Sequence, residues 1–545
     1  VSRLWRWAPW LSGGLALAAY VASRARYPTE WDSVQLVMGM DRFDILQGSP
    51  HAPGYWLYVA AGRAVRATTG WGGATSMQVV AALAAAATVG LACAVGTRLG
   101  GRWLGVSAAV ILATSPFLWF YGATVGTYSF DALASVVLLW LAWRARPRSW
   151  HGVAAAMTLG LATGFRQTSL IVLAPLAGVA VVRSTRGVRA VLAAGLAGAA
   201  GIACWLVPMA REQPGGFHVI RAFGNRTFMD TARRTSPFYG APRAAVLNNI
   251  GQATGYTAMA VGLLVPLTLA ALAVVAVRAR RRRRGSPSPA PAGAEHPGPA
   301  PPRPRMALTA PVLLAVALVP SVAFVVLFHF GKAGYVLSFL PAAVLLLLWP
   351  AAKLPRRALV GASLVVVAVA GVDAQRFLQA PGVLPAQALD RGPWLTQSAY
   401  GAPYFETLDA IRQVDHETAA YRALAARFDA RRDVLVYVWL DGAHRYRHAM
   451  YTLSQFTASM VKDGRQEDTG HHLTWVHTYS HQVGVPAGGH AVFVVDEPQN
   501  DLQLLSAEGH AREMHLPTGP RVWVVDPGSH LFGADVVSVP GLLAP

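Results

Sequence analysis

The sequence predicts a multi-span α-helical membrane protein of about eleven transmembrane helices with a C-terminal α/β extracytoplasmic domain. Three observations carry that reading. Hydrophobic residues make up 54% of the 545 residues and charged residues only 14%, too few charges for a soluble protein of this size. The apolar residues come in blocks of about 17 to 25, the length that crosses a bilayer as a helix. The loops between the blocks carry their arginines in alternation, which fixes a topology.

Spans are expected at roughly 8–23, 74–98, 103–120, 122–143, 151–165, 168–182, 190–209, 251–277, 307–328, 335–350 and 357–374. With that count, Arg3, Arg6, Arg98, Arg102, Arg144, Arg146, Arg148, Arg183, Arg186 and Arg189 all fall on one face. So do Arg278, the arginine run 280–284, Lys353, Arg356 and Arg357. Basic loops mark the cytoplasmic side, so the loop after the first span and the C-terminal segment lie outside. The net charge of +20 is explained by these loops, which orient the protein and meet anionic lipid; nucleic-acid binding is not expected. Cys93 and Cys204 sit in predicted spans near opposite faces, so no disulfide framework is implied. Arg3 and Arg6 before the first apolar run would also suit a leader peptide, but the functional look of the following loop favours a retained anchor.

In chain order, the first loop, Trp31 to Tyr58, concentrates carboxylates: Glu30, Asp32, Asp41 and Asp44. Asp41 and Asp44 are spaced to share a helix face, as the polar edge of an interfacial helix. About nineteen residues after Asp32 comes His51-Ala52-Pro53-Gly54-Tyr55, where Pro53 holds Ala52 extended and suits a helix start. Gly54 to Val65 reads as a helix on the outer surface, with Arg63 and Arg66 reaching headgroups. Ser115-Pro116-Phe117-Leu118-Trp119-Phe120-Tyr121-Gly122 is an aromatic turn, and Asp131 follows in the next span. Gly164-Phe165-Arg166-Gln167-Thr168 breaks two apolar runs at the outer face. Arg166 there either snorkels from a hairpin or faces a cavity with a paired role.

Residues 210–250 read as a long outer loop in which Arg221, Arg226, Arg233 and Arg234 alternate with Phe217, Phe223 and Phe228. The stretch 279–306, rich in proline, reads as a disordered cytoplasmic linker interrupting the membrane domain of residues 1–374. His329-Phe330-Gly331-Lys332-Ala333-Gly334-Tyr335 is a late outer turn. Residues 375–545 form the second domain, with buried strands at Asp433–Trp439, Ala491–Val495 and Arg521–Val525 and a helix over Gly442–Phe456. Eleven of the sixteen histidines lie in it. His477 and His481, near His471 and His472, would be spaced as metal ligands only on a helix, and no metal is expected; Asp496-Glu497 closes a strand.

An acid just outside the membrane, an amphipathic stretch and H-x-P-G-Y resemble the first loop of the glycosyltransferase C superfamily. The likeness is to the protein O-mannosyltransferase and aminoarabinose-transferase side, and to bacterial relatives with an H-P-P-G-Y type loop. The S-P-x-F-W turn, the arginine turn at 164–168 and Gly-Lys-x-Gly-Tyr before Leu340-Pro341 resemble later outer loops of the same enzymes. One position departs: where the relatives carry glutamate after the aromatic turn, this chain has Val125-Gly126-Thr127-Tyr128, with Asp131 the nearest acid.

The resemblance implies an integral protein of the bacterial cytoplasmic membrane. It would transfer a sugar from a polyprenyl-phosphate carrier, as co-substrate rather than cofactor, to a hydroxyl of a protein, lipid or glycan. Phosphate leaves as a stable anion, so no acid need protonate it, and one carboxylate base suffices, with inversion. The expected base is Asp32; the expected substrate-binding residues are His51, Tyr55, Asp131, Arg166, Lys332 and Tyr335, with Arg166 and Lys332 on the phosphate. The rival classes are a lipid-linked-sugar transporter or flippase, and an idle scaffold with a glycan-binding outer domain. A transporter would place ionisable residues in mid-span and show repeats; here they gather at span ends.

Overall fold

A computed structural model of the chain describes residues 4–284, 309–329, 332–378 and 406–439. Of the rest of the C-terminal segment it describes 448, 451–453, 455–456, 458–462, 475–478, 482–484, 488–495, 511–516, 521–525, 532–533 and 536–538. The proline-rich stretch from 285, His471, His472, His481 and Asp496-Glu497 lie outside the described residues.

Up to residue 378 the described chain is almost wholly helical. The first helices are α1 (Ala8–Ala22), α2 (Trp31–Asp41), α3 (Trp56–Thr69), α4 (Gly73–Gly100), α5 (Arg102–Thr114) and α6 (Pro116–Ala123). There follow α7 (Tyr128–Arg144), α8 (His151–Phe165), α9 (Ser169–Ser184), α10 (Val188–Glu212), α11 (Gly216–Thr235) and α12 (Arg243–Val261). The membrane part ends with α13 (Val265–Arg284), α14 (Ala310–Leu327), α15 (Leu340–Leu348) and α16 (Arg356–Leu378). A helix stands at each of the eleven expected spans, but not each is a full crossing. Among the described residues five helical stretches are long and apolar enough to span alone, or six when α5 and α6 are taken as one span bent by 59°. Pro116 opens α6 at the bend, because a proline at the first helical position costs no hydrogen bond there but ends the helix before it.

Small residues let the helices approach closely, the usual basis of association where lipid supplies no hydrophobic drive. A Cβ on Gly90 of α4 would lie 2.8 Å from the carbonyl oxygen of Pro9 in α1, so α1 crosses α4 there in direct backbone contact. The arginine-bearing ends collect at one end of this bundle: the Arg102 guanidinium lies 5.3 Å from the Trp5 ring centre, and Arg148 donates its backbone N–H to Ser184. The remaining loops meet at the opposite end, where the Ala25 N–H donates to Ala123 and Gln78 donates to the Ala25 carbonyl.

Residues 216–250 correct the expected long outer loop. They are helical for most of their length, as α11 and the start of α12, because Val219, Ile220 and Phe223 fall on one face of α11 that packs against the core around Met209. The first loop also differs in detail. Asp41 ends α2, whereas Asp44 lies beyond it and caps the turn Ile45–Gln47 through Leu46, so the two acids share no helix face. Arg63 and Arg66 are engaged within the protein. Arg63 donates to the carbonyls of Met40 and Gly39 and pairs with Glu212 at 2.6 Å, while Arg66 pairs with Asp41 at 2.6 Å. Helix α3 starts at Trp56, three residues after Pro53.

The C-terminal segment opens with α17 (Leu408–Arg427) and a six-stranded sheet. Its strands are β1 (Val434–Trp439), β2 (Ala458–Lys462), β3 (Trp475–Thr478), β5 (Ala491–Val495), β6 (Ala511–Met514) and β7 (Arg521–Val525), in the order β3-β2-β1-β5-β7-β6. Strands β3, β2, β1 and β5 run parallel, and β7 and β6 turn antiparallel onto that edge; β1 sits centrally with Val434 beside Ala491. A central parallel strand is covered on both faces, which is why Val434–Trp439 reads as an unbroken apolar run. A smaller sheet pairs β4 (Gln482–Gly484), β9 (Val536–Ser538) and β8 (Phe532–Gly533). Of the helix expected over 442–456, the described residues 448, 451 and 452 are helical. His477 is on β3, not on a helix, so the helical ligand spacing to His481 does not exist, and no group of three potential ligands occurs among the described residues.

Candidate functional site

The loop end of the bundle holds a cavity of about 480 Å³ lined by Asp32, His51, Tyr55, Tyr128, Arg166, Lys332 and Tyr335 among others. Asp32 stands in the first turn of α2, which is anchored by Ser33: its hydroxyl accepts the Glu30 N–H and donates to the Val125 carbonyl at 2.6 Å. The side chain of Asp32 is 26% exposed, and its Oδ2 takes a hydrogen bond from Lys332 Nζ at 2.6 Å. Lys332 Nζ also reaches Glu30 Oε2 at 3.2 Å. Burial pushes Glu30 above the ordinary carboxylate range; Lys332 counteracts this and the Asp32 charge adds to it. The Oδ1 side of Asp32 faces His51, whose Nε2 is 3.9 Å away.

His51 and Tyr55 come from the turn before α3, their ring centres 4.9 Å apart. Tyr55 has φ 45° and ψ 42°, a left-handed conformation that costs a non-glycine residue on the order of 1 kcal/mol. Here it turns the chain into α3 while keeping the phenol in the cavity. Burial raises the Tyr55 phenol above its usual value, so it is a protonated hydrogen-bonding group at neutral pH.

Opposite stands Arg166, between α8 and α9. Its guanidinium is sandwiched by two tyrosine rings, 4.1 Å from the centre of Tyr128 and 4.3 Å from that of Tyr335. Its Nε donates to Thr168 at 3.0 Å and pairs with Asp131 Oδ2 at 3.0 Å; Asp131 Oδ1 accepts from Ser169. The Nη groups have no hydrogen-bond partner among the described residues, while Arg166 lines the cavity. Arginine remains charged here, so the site presents a fixed, oriented cation. Both readings of the 164–168 turn are thereby resolved: Arg166 does not snorkel, and its side chain is only 6% exposed.

Asp131 requires a correction. Its side chain is 3% exposed, it is consumed by Arg166 and Ser169, and it does not line the cavity. It holds Arg166 in place rather than lining the cavity itself. Asp32, His51, Tyr55, Arg166, Lys332 and Tyr335 do converge on the cavity. Asp32 is not engaged by Arg24 or Arg26, the nearest cations in sequence, but by a lysine 300 residues away.

Several contributors were not assigned from sequence. Tyr128 stacks on Arg166 and excludes any side chain at Gly334, where a Cβ would clash with its ring. Glu30 shares Lys332. His329 lines the cavity, and burial, with the Arg166 charge, lowers its pKa to about 4, so the ring is neutral. The other wall is apolar, with Ile171, Phe228, Phe324 and Phe328. These contributors depend on long-range contacts that one sequence does not display.

Comparison with known proteins agrees with this architecture. Residues 46–189 match the model of the protein O-mannosyl-transferase TMEM260 N-terminal domain. The fold is similar to a crystal structure of ArnT from Cupriavidus metallidurans in the apo state, with a TM-score of 0.55 and 15% identity, covering 96% of this chain and 98% of that one. The structure of the same enzyme bound to undecaprenyl phosphate is similar at a TM-score of 0.52 and 14% identity, covering 98% of each chain. No curated protein matches the sequence. The chain thus resembles the glycosyltransferase C superfamily both in a family match and in fold, and it is an integral membrane protein by its apolar helices and these neighbours.

Proposed function

We propose that the protein is a membrane glycosyltransferase that moves a sugar from a polyprenyl-phosphate carrier to an acceptor hydroxyl, at the extracytoplasmic face. The observation that carries this reading is the charge layout of one cavity: a carboxylate, Asp32, on one wall and, on the other, the Nη edge of Arg166, which has no hydrogen-bond partner among the described residues, above an apolar wall. A phosphate with an isoprenoid tail matches the second and third features, and a structural neighbour of the same fold holds undecaprenyl phosphate.

The chemistry follows from the layout. The donor phosphate sits against Arg166, with Lys332 and the Tyr335 hydroxyl beside it. The acceptor oxygen approaches the anomeric carbon from the Asp32 side and gives its proton to Oδ1. The new C–O bond forms as the bond from the anomeric carbon to the phosphate oxygen breaks, and both electrons leave with the lipid phosphate. Attack opposite the leaving group inverts the anomeric centre. No metal is needed to carry the departing charge, because the fixed cations already face it. General-base assistance of this kind contributes about 10² to 10⁴-fold.

The test is transfer from a polyprenyl-phosphate-linked sugar by the full chain in lipid, with the anomeric configuration of the product read by NMR. Inverted product, reduced about 100-fold or more in Asp32→Asn, is expected. A parent protein that transfers nothing from any such donor, or a retained configuration, removes the reading.

A further inference from the structure

We infer that the C-terminal α/β domain is a clamp on the catalytic loop and that Asp415 is a positioning residue for Asp32. This deepens the transferase reading and rests on it for its kinetic part only.

The segment 25–33 leads from α1 into α2 and carries Glu30 and Asp32. On its membrane side it is tied to the bundle: Ala25 N–H to Ala123, Gln78 to the Ala25 carbonyl, and Ser33 to the Val125 carbonyl. Its other side is held by α17. Asp415, buried, accepts the backbone N–H of Arg26 on both oxygens at 2.8 and 3.0 Å, and that of Tyr27 at 3.1 Å. Arg412 Nη1 stands 3.6 Å behind the same carboxylate. Two turns further along α17 on the same face, Arg422 donates to the Tyr27 hydroxyl at 3.3 Å. Trp31, the residue directly before Asp32, packs against the hydrophobic core that α17 shares with the sheet, formed by Tyr421, Leu424, Val492 and Val524.

Three independent contacts from the second domain therefore fall on residues 26, 27 and 31, while the base is residue 32. The Asp415 contacts go to main-chain donors, so they read the path of the chain rather than side chains at 26 and 27. A carboxylate bonded to two backbone N–H groups is a strong, charge-assisted fastening. Without it two donors lose their partner, and from the second domain only the Tyr27 hydroxyl contact and the Trp31 packing remain. The Asp32 carboxylate must lie within a few tenths of an ångström of its working position, since displacement by about 1 Å costs on the order of 10²-fold. Arg166 and the groups that hold it, Asp131, Thr168 and the Tyr128 and Tyr335 rings, lie outside segment 25–33, so the arginine seat of the donor phosphate does not depend on the clamp.

The experiment uses the full chain and the variants Asp415→Ala and Asp415→Asn, the second keeping one acceptor oxygen. Hydrogen exchange is measured on peptides covering 24–34, on α17 and on the bundle. Undecaprenyl phosphate affinity and sugar transfer are measured in parallel. We expect faster exchange confined to 24–34 in Asp415→Ala, unchanged undecaprenyl phosphate affinity, and turnover at saturating donor down about tenfold or more, with Asp415→Asn in between. Unchanged exchange at 24–34 overturns the clamp, and so does faster exchange with parental turnover. If the parent transfers nothing, the transferase reading fails while the exchange result still decides the clamp. Should Asp415→Ala lose protection throughout, Asp415→Asn decides by the same criteria.

Discussion

The two cations of the cavity are held in opposite ways. Arg166 is fixed on every side but one: Asp131 and Thr168 take its Nε, and two tyrosine rings cover its faces. Lys332 is a single ammonium on a jointed stem, bonded to Asp32 and Glu30, both of which belong to the loop that carries the base. A planar, pre-aimed arginine suits a permanent phosphate seat, whereas a lysine bonded to the base tunes the base as well as the phosphate. The lesson is that one half of the cavity is built for position and the other for charge balance, and variants in the two halves should fail differently.

The largest effect expected from breaking the lysine half is with Lys332→Met. It leaves Asp32 and Glu30 side by side without a cation and removes charge stabilisation at the leaving phosphate. Turnover should fall about 100-fold or more, measured as initial rates at saturating donor. On the arginine half, Arg166→Lys keeps the charge but loses the planar fork and the stacking. We expect a rise of about tenfold in the donor KM with a smaller change in kcat, the mark of lost phosphate seating.

Asp131→Asn sharpens the same contrast by stability. Both side chains of that pair are buried, so the change strands the arginine charge and should cost about 3 kcal/mol, read as a lower thermal midpoint in detergent. The corresponding change Glu30→Gln should barely lower the midpoint, because Lys332 keeps Asp32.

The smallest effects are in pH. Glu30 is raised by burial, so the folded state keeps its proton at pH values where the unfolded chain has lost it. Its contribution therefore costs stability as pH rises from about 4.3, the unfolded value, through the folded pKa. His329 runs the other way. With its folded pKa lowered to about 4, the unfolded chain takes up a proton that the folded ring refuses, so stability falls as pH drops from about 6.5 toward 4. Thermal midpoints between pH 4.5 and 8 should decline less on the alkaline side in Glu30→Gln and less on the acid side in His329→Gln.

Much of the fold was legible because hydropathy and arginine alternation are local signals. A helix stands at every expected span, and the strands at 434–439, 491–495 and 521–525 announce themselves by unbroken β-branched and aromatic runs. Residues 216–235 were read as loop because their mean polarity hid an amphipathic helix whose phenylalanine lines the cavity. In the site, loop motifs pointed to the right outer turns, but not to who pairs with whom. Asp131 looked like a ligand-facing acid; a partner 35 positions on in the chain, Arg166, makes it a support instead. The grip of Asp415 on Arg26, 389 positions apart, has no local signature at all.

The division of labour between the walls is tested most directly by measuring undecaprenyl phosphate affinity and sugar transfer together in Asp32→Asn and Arg166→Gln. The account predicts that Asp32→Asn binds the lipid phosphate like the parent but transfers about 100-fold more slowly or worse, whereas Arg166→Gln loses affinity. Parental transfer by Asp32→Asn, or parental affinity in Arg166→Gln, would contradict it.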